Sequence, residues 1–141
     1  MAATDQDPLA AFRLDDRLIV VTGASQGIGR CLAESFARLG AVVVLASRRA
    51  DKLEEACKAI VARGGRAEAV PTDVSRIDEI DRLAAAVRGL AQDNTRRIVL
   101  VNNAGLGFTK PALEIDARDW GSVFEDQVRG TFFCSQRIGA L

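Results

Sequence analysis

The chain has 141 residues, 48% of them apolar and 27% charged, which suits one soluble globular domain with a buried core and excludes a disordered or fibrous chain. Nineteen Lys and Arg balance nineteen Asp and Glu, so no global field draws it to nucleic acid or to an anionic membrane. It has no histidine, and Cys31, Cys57 and Cys134 are odd in number and far apart, which argues against a zinc site or a disulfide frame and fits reduced core thiols in a cytoplasm.

Met1 to Pro8 carries two aspartates and no apolar centre, so it does not read as a signal or transit peptide. No apolar run approaches the roughly 20 residues of a membrane helix. The first predicted strand is Leu18 to Val21. Ile28, Leu32, Phe36 and Leu39 then recur as one helical face until Gly40 stops the helix. Val42 to Ala46 is strand two. Asp51 with Glu54 reads as a capping pair for a second helix, whose stripe of Leu53, Ala56, Cys57, Ile60 and Val61 ends at Gly64-Gly65. Ala67 to Val70 is strand three. Ser75 with Asp78 is expected to cap a third helix with Ile77, Ile80, Ala84, Val87 and Ala91 inside. Ile98 to Val101 is strand four. A last helix runs from about Asp116 toward the end, with Trp120 anchoring its start and Val123, Phe124 and Val128 along it. Phe132 and Phe133 read as core or interface residues.

Four alternations of strand and helix, with strands apolar throughout, predict an α/β, doubly wound parallel sheet covered on both faces. Right-handed crossovers give the strand order 3-2-1-4. Ligands of such sheets bind outside the carboxyl ends of the strands where the winding reverses, between strands one and four.

The segment at that switch point is Gly23-Ala24-Ser25-Gln26-Gly27-Ile28-Gly29. It joins strand one to a helix through three glycines, and the helix start aims unpaired N–H groups and a positive dipole end at an anion. The segment reads as a pyrophosphate seat. At the carboxyl end of strand two an acidic residue would accept from a ribose 2′-hydroxyl and signal NAD; the chain has Ser47-Arg48-Arg49 instead. A guanidinium holds a 2′-phosphate bidentately, so Arg48, with Arg49 beside it, points to NADP rather than NAD. Both arginines are also compatible with a solvated position ahead of a helix.

These residues resemble the short-chain dehydrogenase/reductase family, whose members carry Thr-Gly-x-x-x-Gly-x-Gly early and Asn-Asn-Ala-Gly after strand four; Thr22 to Gly29 and Asn102 to Gly105 match both. The resemblance covers nearly the whole chain and implies a Rossmann-like NAD(P)-binding domain over 16–141, preceded by a tail over 1–15. It implies that Asp73 and Val74 flank the adenine, with the Asp73 carboxylate accepting from its amine, and that Asn103, Ala104 and Gly105 line the nicotinamide ribose. Asn102 is expected to tie strand four to its neighbour.

The family carries its chemistry in a serine on strand five and a Tyr-x-x-x-Lys on the next helix. The 141 residues contain no tyrosine, so the sheet reads as stopping after the helix that follows strand four. Where the family commonly shows Asn-x-x-Gly, this chain has Gln127-Val128-Arg129-Gly130; Gln127 fits both a relay amide and a helix residue that only packs. The resemblance therefore implies the cofactor-binding half of an oxidoreductase that reduces a small carbonyl or oxidises an alcohol, inactive alone. With strand four left as an apolar edge, a homo-oligomer is expected. A non-enzymatic nucleotide-binding or interaction module is the alternative, and a nucleoside-dependent methyltransferase a weaker one.

Overall fold

Two adjacent parallel strands, Arg17–Thr22 (β1) and Val42–Ser47 (β2), centre a computed structural model that describes residues 10–91, 97–107 and 109–141. The sequence reading of Met1 to Pro8 lies outside these residues. Runs of Val, Ile and Leu suit a pleated surface buried on both sides. Arg66–Pro71 (β3) pairs with β2, and Arg97–Val101 (β4) pairs with β1, all parallel in the order β3-β2-β1-β4. The winding reverses between β1 and β4 as expected.

Alternation along the two central strands sorts their side chains onto two cores. Ile19, Val21, Val43 and Leu45 pack with Ala33, Ala37, Leu53, Ala56 and Ile60 of Gly27–Arg38 (α1) and Ala50–Ala62 (α2). Leu18, Val20, Val44 and Ala46 pack on the other face with Leu83, Ala84 and Val87 of Ile77–Leu90 (α3) and Ile138 of Thr131–Gly139 (α5). Each buried Val or Leu contributes roughly 1.5–3 kcal/mol of apolar burial. Ahead of β1, the Leu14 N–H donates to Leu39 O at 2.8 Å and its side chain joins the first core.

Several local expectations are corrected. The buried face of α1 is Gly29, Ala33 and Ala37 rather than Ile28, Leu32, Phe36 and Leu39; Ile28 is 74% exposed. Small residues let the helix lie close to the sheet, and of the bulkier ones Phe36 packs, partly buried, against the same core. The N-caps of α2 and α3 are Arg49 and Arg76, without side-chain capping bonds. Asp51 therefore acts only as a charge in the first turn of α2, and Glu54 pairs with Lys58. Before α3 the acceptor is Asp73, whose Oδ1 takes the Ser75 N–H at 3.0 Å and hydroxyl at 2.7 Å.

The last helix starts at the expected place, because Asp116 and Asp119 form a reciprocal capping box at Ala117–Phe124 (α4). It is interrupted by a π-helical segment, Glu125–Gly130, before α5. Trp120 does not anchor its start: it is 62% exposed and stacks on Phe124 with centroids 4.8 Å apart. Of the three thiols only Cys134 is a core group; Cys57 is half-buried and Cys31 exposed.

Candidate functional site

All four strands deliver their carboxyl ends to one rim, where a cleft of about 510 Å³ opens. Its walls gather most of the residues expected from the sequence: Gly23, Ser25, Gln26, Gly27, Ile28, Arg48, Arg49, Val74, Asn103, Ala104 and Gly105. Gly29 and Asp73 are not among the lining residues.

The α1 start is open on its N-terminal side. Its N-cap, Gln26, makes no side-chain cap and its first turn carries no acidic residue, so its N–H groups are left for a ligand. Gly27 has φ +55°, and a Cβ there would meet nothing within 4 Å. Gly29 sits behind it at the opposite extreme, since a Cβ would lie 2.5 Å from both Asn103 Nδ2 and Gly23 O. The turn is thus compressed against the loop after β4 and open toward the cleft, which fits a diphosphate lying against the backbone.

That loop is fixed by Thr22, buried at the end of β1 with 1% exposure. Its hydroxyl accepts from the main-chain N–H groups of Asn103 and Ala104, and the Asn103 side-chain amide donates to Thr22 O. The strand tie expected of Asn102 is therefore made by Asn103. Asn102 Nδ2 instead donates to the Ser135 hydroxyl on α5 at 3.0 Å, because successive residues leaving β4 point to opposite faces.

At the end of β2, the Ser47 hydroxyl donates to Ser25 Oγ at 2.9 Å, and Arg49 Nη2 reaches the same oxygen at 3.5 Å. Arg49 is thus tethered within the cleft. Arg48 is exposed on its wall and makes no hydrogen bond or ion pair among the described residues. At the end of β3, Val74 and Thr72 face the cleft, while Asp73 is engaged by Ser75 and donates its own N–H to Glu79 Oε2 at 2.7 Å. Gln127 Nε2 donates to Leu106 O at 2.5 Å and its side chain packs at Gly105. The amide braces the loop beyond the cleft.

Sequence reasoning missed Thr72 and Asp126 as cleft residues. Thr72 is 2% and Asp126 8% exposed. The first was legible as the residue that follows strand three; the second depends on the π segment, which no spacing rule reveals. Lys110 pairs with Asp119, which that bond holds below the usual carboxylate range, and does not line the cleft. Among the described residues no group of three or more His, Cys, Asp or Glu could hold a metal ion. A second hollow of about 350 Å³ lies at the opposite rim among Arg13, Asp15, Arg38, Arg63 and Arg66. There α1 and α2 end, and helix C-termini disfavour phosphate despite the arginines.

A family model described as short chain dehydrogenase matches residues 17–140. Gluconate 5-dehydrogenase of Gluconobacter oxydans is 37% identical over 128 residues, covering 90% of this chain and 48% of that protein. A 3-oxoacyl-[acyl-carrier-protein] reductase of Synechocystis sp. is 34% identical over 91% of this chain and 51% of its own length. Among solved structures, a metagenomic short-chain oxidoreductase in complex with NADP superposes with a TM-score of 0.80 at 35% identity, over 90% of this chain and 57% of that one. A hydroxysteroid dehydrogenase from Escherichia coli gives 0.83 at 34% identity, over 91% and 53%. The chain spans about half the length of the curated relatives it matches.

Proposed function

The chain belongs to the short-chain dehydrogenase family, and from that membership we propose that it is the cofactor-binding portion of an NADP-dependent oxidoreductase interconverting a carbonyl and an alcohol on a small molecule. The observation that carries this reading is the meeting, in one cleft, of an uncapped helix N-terminus with the guanidinium of Arg48, which has no partner among the described residues.

A nicotinamide cofactor, when bound, supplies or accepts the hydride. The first-turn N–H groups of α1 hold its diphosphate, and Gly29 keeps that turn seated on Asn103. Arg48 takes the 2′-phosphate as a bidentate donor, with Arg49 as a second positive charge steadied by Ser25. Charged hydrogen bonds of roughly 1.5–3 kcal/mol give NADP about a ten- to hundredfold preference over NAD. Asn103, Ala104 and Gly105 wall the nicotinamide ribose, and Gln127 positions their loop through Leu106.

None of these groups is a proton donor for a carbonyl oxygen, and the 141 residues include neither Tyr nor His. Loss of a positioned donor costs roughly 10²–10⁴ in rate. These residues alone therefore bind cofactor and do not turn over. The exposed apolar side chains of Trp120, Phe124, Val128 and Phe132 support a homo-oligomeric full protein. Among the described residues no helix is long and apolar enough to cross a membrane, and the reduced thiols suit a cytoplasmic enzyme.

Calorimetric titration with NADP and with NAD tests the reading, alongside a carbonyl-reduction assay. Tighter NADP binding without turnover is expected. Equal affinities would remove the 2′-phosphate role of Arg48, turnover by these residues alone would overturn their dependence on a further proton donor, and absence of binding would sink the nucleotide site itself.

A further inference from the structure

Two hollows meet at the strand-end rim: the cleft described above and a neighbour of about 390 Å³ that reaches Gly121 and Ser122 on α4. Of the described lining residues, only Arg48 and Asp126 wall both. The pair therefore stands on the divide between them, Arg48 coming from the residue after β2 and Asp126 from the π-helical segment. Every other charged group on these walls is engaged: Arg49 with the Ser25 hydroxyl, Arg118 with Asp116, and Glu125 with Arg129. Among the described residues, Arg48 and Asp126 have no hydrogen-bond or ion-pair partner.

The two groups differ in how far they can move. Asp126 is 8% exposed, and its segment is wedged against the chain after β3: a Cβ on Gly130 would stand 2.8 Å from Val74 O, and Arg129 donates to Ser75 O at 3.3 Å. Its carboxylate is held in place, and leaving it buried without a donor is costly. Arg48 is exposed and untethered, so its guanidinium is the group that can travel across the open divide. A guanidinium suits a carboxylate and a phosphate equally well, because both accept two parallel N–H bonds. The same arginine cannot serve both at once.

We propose that Asp126 sets the nucleotide preference by competing for Arg48: in the free chain its carboxylate takes the guanidinium, and a 2′-phosphate has to displace it. This rests on the NADP reading above. A nucleotide with a plain 2′-hydroxyl leaves the Arg48–Asp126 pair closed, whereas NADP binds with its affinity reduced by whatever the pair is worth. Asp126 is thus a specificity-determining residue that acts through Arg48 and holds the discrimination between NADP and NAD below what the arginine could give by itself.

The test is calorimetric titration of the 141-residue chain with NADP and with NAD, in the parent, Asp126→Asn, Asp126→Ser, Arg48→Ala and the Arg48→Ala/Asp126→Ser double variant. Both substitutions at Asp126 should raise NADP affinity by about five- to tenfold, between the worth of an exposed ion pair and that of a charge-assisted hydrogen bond, and leave NAD affinity within about threefold. In the Arg48→Ala background the gain should vanish, since nothing is left to compete for. An unchanged NADP-to-NAD ratio in both Asp126 variants would overturn the proposal, as would a gain that persists without Arg48, which would show the carboxylate acting on the phosphate directly. Equal weakening of NADP and NAD would also overturn it, by placing Asp126 against the part the two nucleotides share. In each of these cases the nucleotide site stands; absence of binding of either nucleotide to the folded parent would overturn both readings.

Discussion

Thr22 and Asn103 hold each other in both directions: the Asn103 main-chain N–H donates to Thr22 Oγ1 at 3.0 Å, and the Asn103 side-chain amide donates to Thr22 O at 3.0 Å. The same hydroxyl accepts from the Ala104 N–H at 2.9 Å and donates to Val101 O at 3.4 Å. One buried oxygen therefore fixes the loop after β4 to the strand that launches the glycine turn.

Replacing that hydroxyl by a methyl group of similar size leaves two part-buried N–H groups without an acceptor. Thr22→Val should destabilise the fold by roughly 2–4 kcal/mol and weaken NADP binding. Urea denaturation followed by circular dichroism measures the first. An unchanged midpoint would show that water or a rearranged loop replaces the hydroxyl.

Gly29→Ala is expected to do more damage to binding than to folding. Its methyl group would overlap Asn103 Nδ2 and Gly23 O, each 2.5 Å away. The backbone has to give, at a cost of about 1–3 kcal/mol, and the first-turn N–H groups move with it. A thermal melt and an NADPH fluorescence titration on the same sample separate the effects; parent-like affinity would refute the seat.

Arg48→Ala should lower NADP affinity by about ten- to a hundredfold and leave NAD affinity within about threefold of the parent. The contrast with Arg49→Ala is informative, because Arg49 is tethered to Ser25 and should matter less. If Arg49 proved the larger contributor, the roles of the two arginines would be exchanged.

Acid sensitivity should have a component at Glu34. Hydrogen bonding to Arg30, aided by Arg63, holds its carboxyl below the usual glutamate range. A depressed carboxyl contributes stability that is present above its unfolded value and lost as pH falls through its folded one. The urea midpoint of the parent should therefore fall below about pH 4.5 by more than that of Glu34→Gln. Parallel profiles for the two proteins would show that the exposed arginines screen the pair to nothing.

Alkylation should order the thiols by burial. Cys31 is exposed and should react first; Cys134 is enclosed, and burial pushes its thiol up to about 11, so it should stay unlabelled in the native protein at neutral pH. Intact mass against time of iodoacetamide exposure reads this directly. Early labelling at Cys134 would show that α5 opens away from the sheet.

Much of the fold was legible because its signals are local. A glycine turn after an apolar strand, and four rounds of strand and helix, sufficed for the order β3-β2-β1-β4 and for the rim where the cleft opens. The errors fall where distance or phase matters. Ile28 and Leu32 outrank Ala33 in hydrophobicity, yet α1 turns its alanines inward because the sheet leaves no room for more. Asn102 and Asn103 are the same residue type, and only strand parity decides which faces Thr22. Asp126 sits where the π segment shifts the helical phase, so α-helical spacing misplaces it.

The small face of α1 makes that helix behave as a seesaw. Ala37 lies about 15 Å along the axis from Gly27, and a Cβ added at Gly65 would already be 3.2 Å from the Ala37 Cβ. A bulkier side chain at 37 would lift the far end off the sheet and tip the near end, pivoting near Ala33, so that the first-turn N–H groups swing away from the cleft. Diphosphate affinity is thus exposed to substitutions three turns from the nearest atom a ligand could touch, and any search for residues that tune it should begin at the wrong end of the helix.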